Sequence, residues 1–112
     1  MTDPRPAPGG ASAAAIQAHY DLGNDFYALW LDPTMTYSAA VFASADESLA
    51  DAQLRKYRRI LGDLGAQPGQ TILEVGCGWG GFAEVAATEF GCKVHGITLS
   101  PSQLEFARAR AE

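Results

Sequence analysis

Apolar residues recur at helical spacing through one long stretch of the chain. Leu49, Leu54, Tyr57, Ile60, Leu61 and Leu64 fall on one face of a 3.6-residue period, which predicts an amphipathic helix buried along that stripe. Ser44 and Glu47 just ahead of it fit a capping box, in which each side chain satisfies an orphan amide of the first turn. Gly65 supplies a left-handed stop. Residues 67–70 (QPGQ) read as a turn and 71–75 (TILEV) as a short apolar strand. A glycine-rich loop at 76–81 then opens a helix that runs to about Phe90 and is closed by Gly91. A second buried strand is expected over 92–98. Ser100, Pro101 and Gln103 start another helix, with a capping hydroxyl, a proline at the first helical position and a glutamine three on.

Upstream of residue 44 the pattern is weaker. Residues 1–15 hold Pro, Gly, Ala and Ser with almost no bulky apolar side chain, and predict a mobile leader. Short helices are expected over 14–20 and 24–31. The second is stopped by Asp32 and Pro33, because proline disfavours helical backbone at the residue before it. Residues 34–43 are aromatic and β-branched without a period, an irregular and partly buried connection. The chain thus divides into a leader (1–15), a helical cap (16–43) and the start of a sheet (44–112). From residue 71 the order strand, glycine loop, helix, strand, helix predicts an α/β fold, with two parallel strands of a doubly wound, Rossmann-like sheet. Two strands do not complete such a sheet, and the last helix meets Glu112 with no Gly, Asn or Pro to end it. The expectation is the N-terminal part of a larger domain. By itself it should be marginally stable, prone to pair through its open edges, and inactive.

Composition narrows the function. The 112 residues carry 13 acidic and 8 basic side chains, a net charge of −5, and 47% are hydrophobic, so the chain is neither charge-rich and disordered nor a disulfide mini-protein. No apolar run approaches the roughly 20 residues that span a bilayer. The start lacks the basic patch and apolar stretch of a secretory signal, so a cytoplasmic protein is expected. Cys77 and Cys92 have no second pair and no His at ligand spacing, which argues against a metal site and a disulfide framework. The negative charge argues against nucleic-acid binding.

The candidate chemistry lies in EVGCGWGG at 74–81. Glycines between a strand and a helix let the backbone turn sharply and let a ligand lie against it, with the first helical amides aimed at whatever is bound. Clustering for packing alone is the competing reading, weakened by four glycines in six residues. Gly76, Gly78 and Gly81 also satisfy the dinucleotide pattern, but a nicotinamide site has an acid about twenty residues on, where this chain reads Ile97, Thr98, Leu99, Ser100. Glu74, just before the glycines, is placed to counter a cation. S-adenosylmethionine (SAM) carries a sulfonium and an ammonium and no phosphate, and it is the preferred ligand.

With GITLS at 96–100, Gln103, and the upstream blocks HYDLGNDFY at 19–27 and LDPTMTYS at 31–38, the chain resembles the cyclopropane-fatty-acyl-phospholipid synthase and mycolic-acid cyclopropane synthase family of SAM-dependent methyltransferases. The resemblance runs from about residue 16 to the end. It implies cofactor contacts from Tyr37, Ser38, Glu74, Gly76, Gly78, Gly80, Thr98, Leu99 and Gln103. Thr98 stands where other methyltransferases use an acid. The implied reaction begins when a cis double bond in the acyl chain of an unsaturated phospholipid attacks the SAM methyl group. A carbocation forms on the acyl chain, and a bound bicarbonate removes a proton as the ring closes. Tyr20 matches a family tyrosine near the reacting chain, where an aromatic face stabilises a cation. The family reads Tyr-Ser-Cys where this chain has Tyr37, Ser38 and Ala39, so Ala39 keeps the backbone amide of the bicarbonate site but not the thiol. A methyl-branched lipid or another small-molecule product is therefore an alternative outcome, and a non-catalytic remnant is a third.

Other residues read more plainly. His19 and His95 have no ligand-spaced partners and are structural or exposed. Cys77 sits near a helix start that would lower its pKa, yet by resemblance it is a loop residue and not a nucleophile. Arg55, Lys56, Arg58 and Arg59 form a basic run, either a solvated helix face or a contact for anionic lipid at a membrane surface.

Overall fold

A buried stripe and two caps define the longest helix of the computed structural model, which describes residues 23–112. The expected leader and first helix, His19 and Tyr20 lie outside these residues. In chain order the elements are α1 (Asn24–Ala28), α2 (Leu49–Asp63), β1 (Thr71–Val75), α3 (Gly81–Phe90), β2 (Lys93–Ile97) and α4 (Pro101–Arg110). Ala52, Gln53, Tyr57 and Leu61 form the buried face of α2. Leu49, Ile60 and Leu64, also predicted for the stripe, remain exposed. The helix starts later than the capping box at Ser44 suggests. Ser48 is the N-cap, its hydroxyl accepting from the Asp51 amide at 3.1 Å. Glu47 does reach back, but to the Ala43 amide at 2.6 Å, and so closes a turn ahead of the helix.

The two strands pair in parallel, from Thr71 opposite Lys93 to Val75 opposite Ile97, with α3 as the crossover. This is the predicted arrangement, one residue shorter at each end of β2. The main core lies where α2 and α3 cover one face of the sheet. Tyr57, Leu61, Val85, Ala86 and Cys92 are buried there, with Leu54, Ile72, Phe82 and Val94 packed around them. On the other face Leu73 and Val75 are open, 64% and 75% exposed. Gly91 ends α3 in the left-handed conformation, and Ser100 caps α4 by accepting from the Gln103 amide at 3.3 Å, both as predicted.

Of the expected helical cap, the described residues contain only α1, which stops at Ala28 rather than Leu31. The Trp30 and Leu31 amides both turn back to the Tyr27 carbonyl, at 3.3 and 2.9 Å. A second cluster of Tyr27, Met35 and Trp79, with Leu31 and Phe106, joins α1 to the glycine loop and α4. The Trp79 indole N–H donates to Asn24 Oδ1 at 2.8 Å, and the Asn24 amide donates to the Ser102 carbonyl at 3.4 Å. Arg110 ties the same region from the other side. It forms an ion pair with Glu84 and donates to the carbonyls of Thr34 and Trp79 at 2.8 and 3.3 Å. No helix among the described residues is long and apolar enough to cross a membrane.

Candidate cofactor site

The glycine loop begins where β1 ends. The Gly76 and Cys77 amides both donate to the Ile97 carbonyl at 2.9 Å, so the loop leaves the sheet pinned to β2. Gly76 and Gly78 have φ of +80° and +54°, backbone that an L side chain adopts only at a cost. A Cβ at either position would meet no protein atom within 4 Å. Both point instead into a cavity of about 670 Å³, within the range of small-molecule sites.

Tyr37, Ser38, Glu74, Gly76, Gly78, Thr98, Leu99 and Gln103 all line that cavity, so the structure brings together eight of the residues singled out from sequence. Gly80 does not line it. Gly80 is buried on the far side of the loop, where a Cβ would lie 3.3 Å from that of Ala107 on α4. Its role in this structure is close packing. Ala39 is also outside the lining, and its carbonyl accepts from Lys56 Nζ at 3.0 Å. The short helix α1 does not cover the cavity either. It backs the wall behind Trp79, whose ring lies tilted against that of Tyr27 with centroids 5.1 Å apart.

Glu74 is the carboxylate of the cavity. Its Oε2 is buried without a hydrogen-bond partner, and burial pushes its pKa up to about 7. At the end of β2, the Thr98 hydroxyl donates to Gln103 Oε1 at 3.0 Å and accepts from the Ser100 amide at 3.2 Å. Gln103 therefore serves the Thr98 turn and does not reach back to the Ser100 amide as a capping box would. Cys77 departs from expectation as well. Burial first, and then the neighbouring Glu74, push its thiol up rather than down. Its side chain fills the space beside Gly96, where a Cβ would come within 2.8 Å of Cys77 Cβ.

Sequence reasoning missed three contributors. Asp32 is buried at the base of the turn that delivers Tyr37, accepting from the Thr34 and Thr36 amides at 3.0 and 3.1 Å. Gln53 and Lys56, one turn apart on α2, reach the backbone and side chain of the 38–39 segment. Gln53 interrupts an apolar stripe, a signal that was available. Lys56 was hidden in the basic run, which the structure disperses. Arg55 pairs with Glu47 at 2.6 Å, Arg58 pairs with Glu89 at 2.7 Å, and Lys56 turns to the cavity.

Comparison with known proteins agrees with this geometry. Residues 10–112 match the family described as mycolic acid cyclopropane synthetase. The chain is 48% identical over 100 residues to a "Probable fatty acid methyltransferase" of Pseudomonas putida, covering 89% of this chain and 25% of that protein. It is 51% identical over 90 residues to cyclopropane mycolic acid synthase 1 of Mycobacterium tuberculosis, covering 80% and 31%. The crystal structure of the mycolic acid cyclopropane synthase CmaA1 complexed with SAH and CTAB superposes with a TM-score of 0.85 at 45% identity, over 94% of this chain and 36% of that one. The chain thus spans between a quarter and a third of the length of the two relatives. The fold is the corresponding part of a Rossmann-like class I methyltransferase. By the glycine loop, the parallel strand pair and the residues that converge on the cavity, this chain belongs to the mycolic acid cyclopropane synthetase family.

Proposed function

We propose that the cavity holds SAM and that the whole protein transfers its methyl carbon to a cis double bond in the acyl chain of an unsaturated lipid, a phospholipid by preference. The observation that carries this reading is the buried, partnerless Oε2 of Glu74 beside two glycines whose absent side chains leave the cavity open. A buried carboxylate wants a cationic partner, and the ammonium of SAM supplies one. Glu74, Gly76 and Gly78 would hold the methionine end with Tyr37 and Ser38, while Thr98, Leu99 and Gln103 would flank the ribose and adenine. When bound, SAM supplies an electrophilic methyl group. The chain's own residues would orient it, Tyr37 standing with Trp30 and Trp79 in an aromatic cluster at ring distances of 5.8 and 6.4 Å. Ala39, in place of the family's cysteine, favours a second product reading in which no ring closes and the cation instead loses a proton from a neighbouring chain carbon, leaving a methyl-branched alkene.

Calorimetric titration of the full chain with S-adenosylhomocysteine, the demethylated product, tests the site. Gly78→Asn is the informative variant, because asparagine tolerates left-handed backbone while its side chain fills the cavity. We expect binding by the wild type and a loss of at least about tenfold in the variant, roughly 1.4 kcal/mol or more, with a melting temperature close to the parent. Unchanged affinity in the variant, or NAD bound in preference, would sink the assignment.

A further inference from the structure

Two polar side chains of α2 hold the segment that carries Tyr37 and Ser38. Gln53, buried at 2% exposure, donates from Nε2 to the Ser38 carbonyl at 2.8 Å. Lys56 donates from Nζ to the Ser38 hydroxyl oxygen at 2.6 Å and to the Ala39 carbonyl at 3.0 Å. The ammonium also lies 5.1 Å from the centre of the Tyr57 ring, a cation–π distance that fixes its position. Lys56 and Glu74 are the cation and the carboxylate among the described residues that line the cavity.

A lysine ammonium has donors and no acceptor, so the Ser38 oxygen can only accept from it. The Ser38 proton must then be donated elsewhere, and no described residue receives it. Ser38 lines the cavity. We propose that Lys56 is a positioning residue which, through this bond, makes Ser38 an obligate donor to an anionic group of the ligand, the carboxylate at its amino-acid end. Glu74 would meet the ammonium of that same zwitterion, so the two charges of the cavity match the two charges of the ligand's amino-acid end. Burial lowers the pKa of Lys56, as expected for an ammonium drawn from solvent toward this wall. The inference rests on the SAM reading above.

The test compares two ligands on the full chain. S-adenosylhomocysteine carries the amino-acid end, whereas 5′-methylthioadenosine keeps the adenosine and thioether without it. Lys56→Met retains the aliphatic stem over Tyr57 and removes the charge. We expect it to weaken S-adenosylhomocysteine about tenfold, the scale of one charge-assisted hydrogen bond, and to leave methylthioadenosine within about twofold. Lys56→Arg should restore most of the loss. Ser38→Ala added to Lys56→Met should cost little more, because the two act as one unit. Equal weakening of both ligands, or no weakening of either, overturns the proposal while leaving the SAM site intact. A wild-type chain that binds neither ligand refutes the SAM reading itself, and the role of Lys56 with it.

Discussion

Replacing Glu74 by glutamine is expected to weaken S-adenosylhomocysteine by roughly 10- to 100-fold at pH 8, the range of a lost charge-assisted contact in a partly buried site. The pH dependence is the sharper signature. Burial raises Glu74 from 4.5 to about 7, so below neutrality the empty site holds the neutral acid, which does not counter an ammonium. Affinity should therefore rise as pH passes upward through about 7 and level off above it. Folding stability of the ligand-free protein runs the other way. A carboxyl whose folded pKa is raised contributes stability that is fully present below about 4.5 and lost as pH rises through about 7. The loss should be about 1–2 kcal/mol, after allowance for the part of the carboxyl that water still screens. Glu74→Gln should flatten both profiles. Calorimetry and urea unfolding between pH 5.5 and about 8 read the two together, and a variant that keeps the wild-type slopes would remove Glu74 from the site.

Asp32→Ala should be the most destabilising single change in the turn behind the cavity, at about 3–5 kcal/mol. Asp32 is 5% exposed and accepts three bonds, from the Thr34 and Thr36 amides and from the Thr34 hydroxyl at 2.6 Å. Alanine would leave two amides without partners in a buried turn. That turn is held on both sides. The Thr36 hydroxyl bonds Tyr57 Oη at 2.6 Å, and a Cβ on Gly81 would come within 2.8 Å of the Thr34 carbonyl. Asp32→Asn keeps an acceptor oxygen and should cost about half as much. Denaturant midpoints of the two variants decide the matter, and an alanine variant as stable as the parent would show that the turn does not need its aspartate.

What was legible in the sequence was local. Strand 71–75, the glycine loop, Gly91 and the Ser100–Pro101 start are short-range signals, each decided by residues within one turn of one another, and they appear where expected. The parallel pairing followed because a helix stands between the strands. The capping box at Ser44 was misplaced for an equally local reason. Ser44 and Ser48 each precede an acid three residues on, and only the packing of Ala52 and Gln53 chooses the second as the helix start. The site was legible where it is contiguous, at Glu74, Gly76 and Gly78, and at Tyr37, Ser38, Thr98, Leu99 and Gln103 through resemblance. Lys56, Gln53 and Asp32 act through partners that tertiary folding brings to them. Gly80 shows the converse, since two glycines in one motif face opposite ways once the loop turns.

The spacing of contacts along the chain also orders events in time. The strands pair across 22 residues, with α3 between them, so the sheet and its helix close a short loop. The bonds that fasten the wall of residues 24–36 are far longer in range. Asn24 meets Trp79 across 55 residues and Ser102 across 78, and Thr34 meets Arg110 across 76. Closing those loops costs more chain entropy and is repaid only once the sheet exists to receive them. The wall should therefore assemble late and let go early. Substitutions such as Asn24→Ala would then be felt as faster unfolding with nearly unchanged refolding, whereas Leu61→Ala in the core would slow refolding. A chain built this way forms its glycine loop first and encloses the space beside it afterwards.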